Sequence, residues 1–294
     1  MPLRRSLHVV LPTLLFLLFV SCAGREVKPI PVEPPRKAVK VALVLGAGAA
    51  KGFAHVGVLK VLEANHVPVH MIVGTSVGSF VGSLYAYGYA AYDLQKIAMG
   101  LERGELVDLT VPDNGFVKGE KLEAYVNRMI RGTTMENLRV PFYAVATDIG
   151  SGGEMVFVKG NTGLAVRASC AIPGVFRPVR IGDRTYVDGG VVSPVAVDAA
   201  RRLGADVVIA VDITGGAAGV TPETTLDTIF QSINVMYAKI AAAQLSRADV
   251  VIQPKVGHID SGDFTKRHEA ILEGEAAAQA ALPKIQALLG EPGR

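Results

Sequence analysis

A serine between two glycines is the residue of this sequence best suited to nucleophilic chemistry. Residues 74–78 read Gly-Thr-Ser-Val-Gly, which fits the pattern G-x-S-x-G with Ser76 at its centre. In enzymes this pattern forms a sharp strand-to-helix turn that lifts the serine hydroxyl above a sheet edge, where the helix dipole favours a developing alkoxide. The structural alternative is an N-capping serine in a glycine-rich turn. We predict Ser76 as the nucleophile, with Gly74 and Gly78 supporting the turn.

A second glycine-rich loop, residues 46–52, has the sequence Gly-Ala-Gly-Ala-Ala-Lys-Gly. Backbone N–H groups of such a loop, between a strand and a helix, converge on an anion, either a phosphate or an oxyanion. The spacing departs from the dinucleotide fingerprint, and the second predicted strand ends without the acid that would bind a ribose. We predict an oxyanion hole built from the backbone of Gly46, Ala47, Gly48 and Ala49, with Gly52 closing the loop. Lys51 either adds positive potential or is a solvated charge at the helix start.

The predicted base is Asp188, which precedes Gly189 and Gly190 at the end of a short apolar run. Two glycines permit a tight turn that projects the carboxylate, although Asp-Gly is also a common hairpin turn. A carboxylate with a pKa near 4 is a weak base, so Asp188 must be buried to accept the serine proton effectively.

Histidine is the alternative base. His258 and His268 follow Asp188, so the order Ser, Asp, His of α/β-hydrolases is formally available. In that fold several strands precede the nucleophile, whereas Ser76 follows only the second predicted strand. A Ser–Asp dyad is therefore favoured over a Ser–Asp–His triad.

Alternating apolar runs and amphipathic stretches predict the elements that position these residues. Strands are predicted at 39–45, 69–73, 142–147, 154–158, 185–187, 207–212 and 250–253, and helices at 53–65, 77–87, 119–130, 195–203, 226–245 and 267–289. The order strand, helix, strand, helix indicates right-handed parallel crossovers in an α/β layered domain. Residues 100–118 are predicted as a loop that could cover the site.

These three motifs, in this order, make the sequence resemble the patatin-like phospholipases over about residues 40–253. The segment Ala168 to Phe176 is similar to that family's Ala-Ser segment leading into a proline, whereas Ala47 departs from the family's triple glycine and Lys51 replaces the more usual arginine. The resemblance implies a three-layer α/β/α fold with a mainly parallel sheet, and a Ser76–Asp188 dyad that needs no histidine, metal or cofactor. It also implies hydrolysis of lipid acyl esters, with a phospholipid as substrate. The alternatives are a non-catalytic module that binds a nucleotide or anion through residues 46–52, and a scaffold for protein contacts.

The N-terminus has the features of a secretory signal. Two arginines precede an apolar run from Leu7 to Val20 that is short for a membrane span, and Cys22 follows it as in a bacterial lipobox. We predict a signal peptide at 1–21, a lipidated Cys22, a proline-rich tether at 22–38 and the globular domain at 39–294. In a diderm bacterium, Ala23 would direct such a lipoprotein to the periplasmic face of the outer membrane. An ordinary cleaved signal and an uncleaved anchor are the alternatives.

Composition argues against a nucleic-acid partner. The chain has 30 basic and 27 acidic residues and no tryptophan. Two of the basic residues lie within 1–21, so the rest is nearly neutral, and no aromatic-interleaved basic stripe is present. The second cysteine, Cys170, is predicted to be a small core residue.

Overall fold

The computed structural model describes residues 39–111, 114–215 and 222–290. The predicted signal, the lipidation at Cys22 and the whole predicted tether at 22–38 lie outside the described residues, so they stay predictions. No helix of the described ranges is long and apolar enough to cross a membrane.

One mixed sheet of eight strands forms the centre of the described part of the chain. The strands are β1 (Val41–Leu45), β2 (Met71–Thr75), β3 (Phe142–Asp148), β4 (Gly153–Phe157), β5 (Val179–Ile181), β6 (Arg184–Asp188), β7 (Val207–Val211) and β8 (Val250–Ile252). Their order is β5-β6-β3-β2-β1-β7-β8, with β4 also paired to β3. Strands β1, β2, β3, β7 and β8 are parallel, and β4, β5 and β6 run antiparallel to their neighbours. The predicted α/β fold with a mainly parallel sheet is confirmed.

The central strands are continuous apolar runs because both faces of the sheet are covered. In β1, Leu43 and Leu45 point into one hydrophobic cluster, and Ala42 and Val44 point into another. The alternation follows from the two-residue period of a strand. The first cluster is much the larger, and the two together place a layer of helices on each face of the sheet.

The helices are α1 (Phe53–Ala64), α2 (Val77–Tyr87), α3 (Ala91–Gly100), α4 (Arg103–Leu106), α5 (Glu120–Met129), α6 (Thr162–Ser169), α7 (Val197–Arg202), α8 (Thr225–Leu245) and α9 (Arg267–Leu289). Helices α1, α2, α5, α6 and α9 contribute to the larger cluster, whereas α7 and α8 contribute to the smaller one. This arrangement is the α/β/α layering that the resemblance implies.

The predicted element bounds agree with the structure within a few residues, and those of α2 and α9 agree at both ends. Helices α3 and α6 and strand β5 were not predicted from the sequence. The prediction of a loop throughout residues 100–118 was wrong, because α4 and an isolated bridge between Leu109 and Val117 lie there.

Candidate active site

The carboxyl ends of β2 and β6 meet on one edge of β3. Because β4 pairs along one edge of β3, both β2 and β6 must pair with its other edge. Strand β2 runs parallel to β3 and ends where Thr75 pairs with Val145, and β6 runs antiparallel and ends where Asp188 pairs with the next residue, Ala146. The two strands therefore point at each other, which brings Ser76, the residue after β2, to Asp188.

The backbone at Ser76 has the conformation expected of a nucleophile elbow. Its φ of 55° and ψ of −127° lie where L-residues are rarely found, and α2 starts at the next residue. The flanking glycines permit this turn, because a Cβ at Gly78 would lie 2.0 Å from the Leu45 carbonyl oxygen. A Cβ at Gly74 would also be too close, at 2.5 Å from the next turn of backbone. The side chain of Ser76 is buried at 3% exposure.

A second serine holds this turn in place. The Ser76 N–H donates to Oγ of Ser169 at 2.9 Å, and that hydroxyl donates to the Val145 carbonyl at 2.6 Å. Ser169 is the last residue of α6, so it links this helix, β3 and the elbow. The sequence-based analysis gave Ser169 no role beyond its place in a family segment.

Asp188 is fully buried and firmly positioned. Its N–H donates to the Ala171 carbonyl at 2.8 Å, and its own carbonyl accepts from Thr147 Oγ1 at 2.9 Å. Oδ1 of the carboxylate accepts from the Gly190 N–H at 2.7 Å in the 3-10 turn Gly189–Val191. Gly190 has no space for a side chain, because a Cβ there would lie 2.3 Å from the ring of Tyr237.

Burial raises the pKa of Asp188 from 3.8 to about 6, opposed by hydrogen bonding from Ser76, Gly190 and Tyr237. The carboxylate is thus ionised near neutral pH but is a stronger base than a solvated aspartate. Its second oxygen, Oδ2, has no partner that meets hydrogen-bond distance and angle among the described residues, although the hydroxyls of Ser76 and Tyr237 lie close enough to lower the pKa of the carboxyl.

The glycine-rich loop contains fewer free N–H groups than predicted. Those of Gly46 and Ala47 donate to backbone carbonyls elsewhere in the fold, at 3.0 and 2.9 Å. Those of Gly48 and Ala49 make no hydrogen bond within the described ranges. Of the four N–H groups predicted to form an oxyanion hole, those of Gly48 and Ala49 therefore remain available, and Ala49 lines the same cavity as Ser76. The residue of positive φ in this loop is Ala49, at 51°, rather than Ala47.

Lys51 is not the solvated charge that one interpretation of the sequence suggested. It is buried at 2% exposure, and Nζ donates to the Thr214 carbonyl at 3.1 Å. Burial lowers the pKa of Lys51, and the charges of Asp260 and Asp212 oppose that effect. Lys51 thus ties the loop to the segment after β7.

A buried histidine supports the same loop. His55 Nε2 lies 2.8 Å from the Gly46 carbonyl oxygen, and burial lowers the pKa of His55 to about 4. The ring is therefore neutral at pH 7, and Nε2–H donates to this carbonyl. The sequence-based analysis missed His55, because its role depends on a tertiary contact.

The two histidines of the triad alternative are both exposed. His258 Nε2 pairs with Glu269 at 2.6 Å, and neither His258 nor His268 is among the groups that affect the pKa of Asp188. The geometry therefore supports the dyad and not the triad.

An apolar cavity of about 180 Å³ opens over Ser76. Its walls include Phe53 from α1, Phe80 from α2 and Leu94 from α3, and most of its lining surface is apolar. Cys170 also lines the cavity and is buried, as predicted, and burial together with Asp188 raises the pKa of its thiol well above the ordinary value. Among the described residues no group of three histidine, cysteine or acidic side chains could hold a metal ion.

The mainly parallel sheet and the strained elbow define an α/β protein with a hydrolase-like site under an apolar cavity. A family model described as patatin-like phospholipase matches residues 43–201. The match covers more than half of the chain and includes both Ser76 and Asp188. The chain belongs to the patatin-like phospholipase family, which confirms the resemblance.

Curated relatives support this assignment. An uncharacterized NTE family protein of Mycobacterium tuberculosis is 32% identical over 207 residues, which is 69% of this chain and 57% of that protein. Patatin-like phospholipase domain-containing protein 6 of Homo sapiens is 34% identical over 66% of this chain and 14% of its own length. Lysophospholipase nte1 of Aspergillus fumigatus is 32% identical over 79% of this chain and 16% of its own length. The chain thus spans little more than half of the mycobacterial relative and a small part of the other two.

Solved structures share the fold. VipD from Legionella pneumophila superposes with a TM-score of 0.59 at 14% identity, over 84% of this chain and 67% of that chain. ExoU from Pseudomonas aeruginosa, in complex with SpcU, gives a TM-score of 0.51 at 12% identity, over 87% of this chain and 53% of that chain.

Proposed function

We propose that the protein is a serine acyl hydrolase that cleaves fatty-acyl esters of phospholipids or lysophospholipids. The observation that carries the proposal is that β2 and β6 end against adjacent residues of β3, which brings Ser76, in a strained elbow, and the fully buried Asp188 together beside an apolar cavity. The family supports hydrolysis, and its relatives include a patatin-like phospholipase domain-containing protein and a lysophospholipase.

In the proposed reaction, Ser76 Oγ attacks the ester carbonyl while its proton passes to Oδ2 of Asp188. The tetrahedral oxyanion accepts hydrogen bonds from the N–H groups of Gly48 and Ala49, which can stabilise the transition state by a few kcal/mol, or about 10²–10³ in rate. The C–O bond of the leaving alcohol then breaks, and Asp188 returns the proton to that oxygen.

Water completes the cycle. Asp188 accepts a proton from the water that attacks the acyl-serine ester, and the second tetrahedral intermediate collapses to a free fatty acid. The proton on Asp188 returns to Ser76 Oγ. The apolar lining of the cavity suits the acyl chain, because burial of apolar surface favours its binding.

The anion-binding alternative has weaker support. It depends on the glycine-rich loop alone, and two of the four N–H groups there already donate within the fold. The space next to the loop is apolar, which favours an acyl chain over a nucleotide.

Hydrolysis of p-nitrophenyl acyl esters by the purified chain tests the proposal. Ser76→Ala and Asp188→Asn are each expected to lower kcat/KM by at least about 10³-fold, because each removes a group that acts in the transition state. Ser151→Ala and Asp183→Asn, at exposed positions, are matched controls that keep full activity. Unchanged activity in both dyad variants, with folding intact, would rule the proposal out.

A further inference from the structure

A loop between α4 and α5 lies at the cavity and carries large apolar side chains into solvent. Leu109 is 77% exposed, Val111 82% and Phe116 41%. We call these three side chains the apolar tip. Three large apolar side chains thus project into solvent from one loop, and exposed apolar surface of this kind marks interaction sites.

The base of this loop is fixed to the cavity wall. The N–H groups of Phe116 and Val117 donate to the Val175 carbonyl, and the Arg177 N–H donates to the Val117 carbonyl at 2.8 Å. Within the loop, the Thr110 N–H donates to the Phe116 carbonyl at 2.9 Å. The apolar tip is therefore held by backbone hydrogen bonds at both of its ends.

The loop is continuous with the cavity. Val107 and Val117, near its two ends, line the cavity that opens over Ser76, and so does Arg103 of α4. The apolar tip does not line the cavity but extends from the residues that do.

Charges around the tip nearly balance. The basic side chains of Arg103, Lys118, Lys121 and Arg177 are offset by Glu102, Glu105, Asp108 and Glu120, and Arg177 donates to Thr110 Oγ1 of the loop at 3.5 Å. Asp108 is occupied as the acceptor for three backbone N–H groups at the start of α5. Attachment through this surface would thus depend on apolar contact rather than on attraction to an anionic partner.

We propose that the apolar tip inserts into the surface of a lipid bilayer and brings the cavity entrance to its substrate. This inference rests on the proposed function. The occupant is a bilayer and not a protein, because three side chains expose roughly a few hundred Å². A stable protein interface buries about 800 Å² on each partner. Shallow insertion of a few apolar side chains is sufficient for interfacial binding, whose strength scales with the apolar area buried.

Tryptophan fluorescence can locate the contact, because the chain contains no tryptophan. Val111→Trp creates a single reporter in the tip. Val158→Trp is the control, since Val158 is 48% exposed and follows β4 near the amino end of β3, at the opposite end of the sheet from Ser76. With phosphatidylcholine vesicles, we expect a blue shift and quenching by acyl-brominated lipid for the Val111→Trp protein only. We expect the blue shift to persist at about 0.5 M salt, because charge contributes little to binding at the bilayer.

A second measurement connects docking to turnover. The double variant Leu109→Ser with Val111→Ser is expected to lose at least about tenfold of its activity on phosphatidylcholine vesicles. It keeps its activity on dissolved p-nitrophenyl butyrate. The pair Leu272→Ser with Val158→Ser, also at exposed positions outside the cavity lining, keeps both activities.

Two results would overturn the docking inference alone: no vesicle-induced shift at Val111→Trp while vesicle lipid is still hydrolysed, or a concentration-dependent dimer that the tip double variant abolishes. Failure of the proposed function is separate, since the wild-type chain would then hydrolyse neither substrate. The fluorescence result does not depend on turnover.

Discussion

In the proposed mechanism, the burial of Asp188 favours proton transfer but lowers the stability of the folded state. Complete burial raises its pKa to about 6, which makes it a better proton acceptor near neutral pH. The same burial disfavours the charged form in the folded state. In the unfolded chain the carboxyl ionises near 3.8, so between these two pKa values the folded state binds more protons. Stability therefore falls as pH rises from about 4 to about 6, and the loss is fully developed above pH 6.

Asp188→Asn should consequently stabilise the protein while it abolishes activity. A shift from 3.8 to about 6 corresponds to about 3 kcal/mol. We expect a free energy of unfolding that is higher by about 1–3 kcal/mol at pH 8, measured by urea denaturation, and a gain that disappears near pH 3.5. Burial lowers the pKa of His55 to about 4, so acid destabilises the folded state through this residue as well. The effect is the same in the wild-type protein and in Asp188→Asn, and it cancels in the difference between their free energies of unfolding.

The exposed substitution Asp183→Asn is the control and should change stability little at either pH. If Asp188→Asn changed the free energy of unfolding equally at pH 8 and at pH 3.5, the raised pKa of Asp188 would be contradicted.

Three elements converge on the Ser76 turn. Strands β2 and β6 end against adjacent residues of β3, and Ser169 at the end of α6 connects the elbow N–H to the Val145 carbonyl. Local strain at Ser76 persists because these neighbours determine its position.

Ser169→Ala tests this element-level role. It leaves one buried donor and one buried acceptor unpaired, so we expect a loss of about 1–3 kcal/mol in unfolding free energy. We also expect a fall of about tenfold in kcat with a smaller change in KM, because without the Ser169 hydroxyl the turn no longer holds Ser76 in the position that the proposed reaction needs. Ser83→Ala is the matched control, since this buried hydroxyl bonds only the Phe80 carbonyl of its own helix. A stability loss without any fall in kcat would show that Ser169 is structural only.

The elements that sequence reasoning located best are those with strong local signals. The apolar runs of β1 and β2 and the glycines around Ser76 mark a strand-turn-helix unit without any tertiary information. The elements that were not predicted are short or depend on residues far along the chain. Strand β5 has three residues, of which one is buried, and forms a hairpin with β6 through a turn at Gly182. Periodicity is not informative over so short a segment.

The same limit applies to the site. Motifs predicted Ser76 and Asp188, which the structure brings together, but they did not predict which N–H groups of the glycine-rich loop are free. Whether Gly46 and Ala47 can bind an oxyanion depends on carbonyls of Val211 and Pro194, far along the chain. The buried state of Lys51 likewise depends on the segment after β7. Such pairings arise from the fold and are absent from local sequence patterns.

At the scale of the whole molecule, the two faces of the sheet differ. Helices α1, α2, α3 and α5 line the cavity over Ser76, whereas α7 covers the opposite face with small side chains. The loop that carries the apolar tip lies on the cavity side. The described domain thus carries the apolar tip on the same side as the cavity, which fits the proposed docking to a bilayer.

The most direct measurement of the central claim is covalent labelling by a long-chain alkyl fluorophosphonate, followed by mass spectrometry of the labelled chain. We expect one adduct per chain, located on the peptide that contains Ser76, absent from Ser76→Ala and formed at least about 10²-fold more slowly in Asp188→Asn. Stoichiometric labelling of another residue, or no labelling of the folded wild-type chain, would contradict the Ser76–Asp188 dyad.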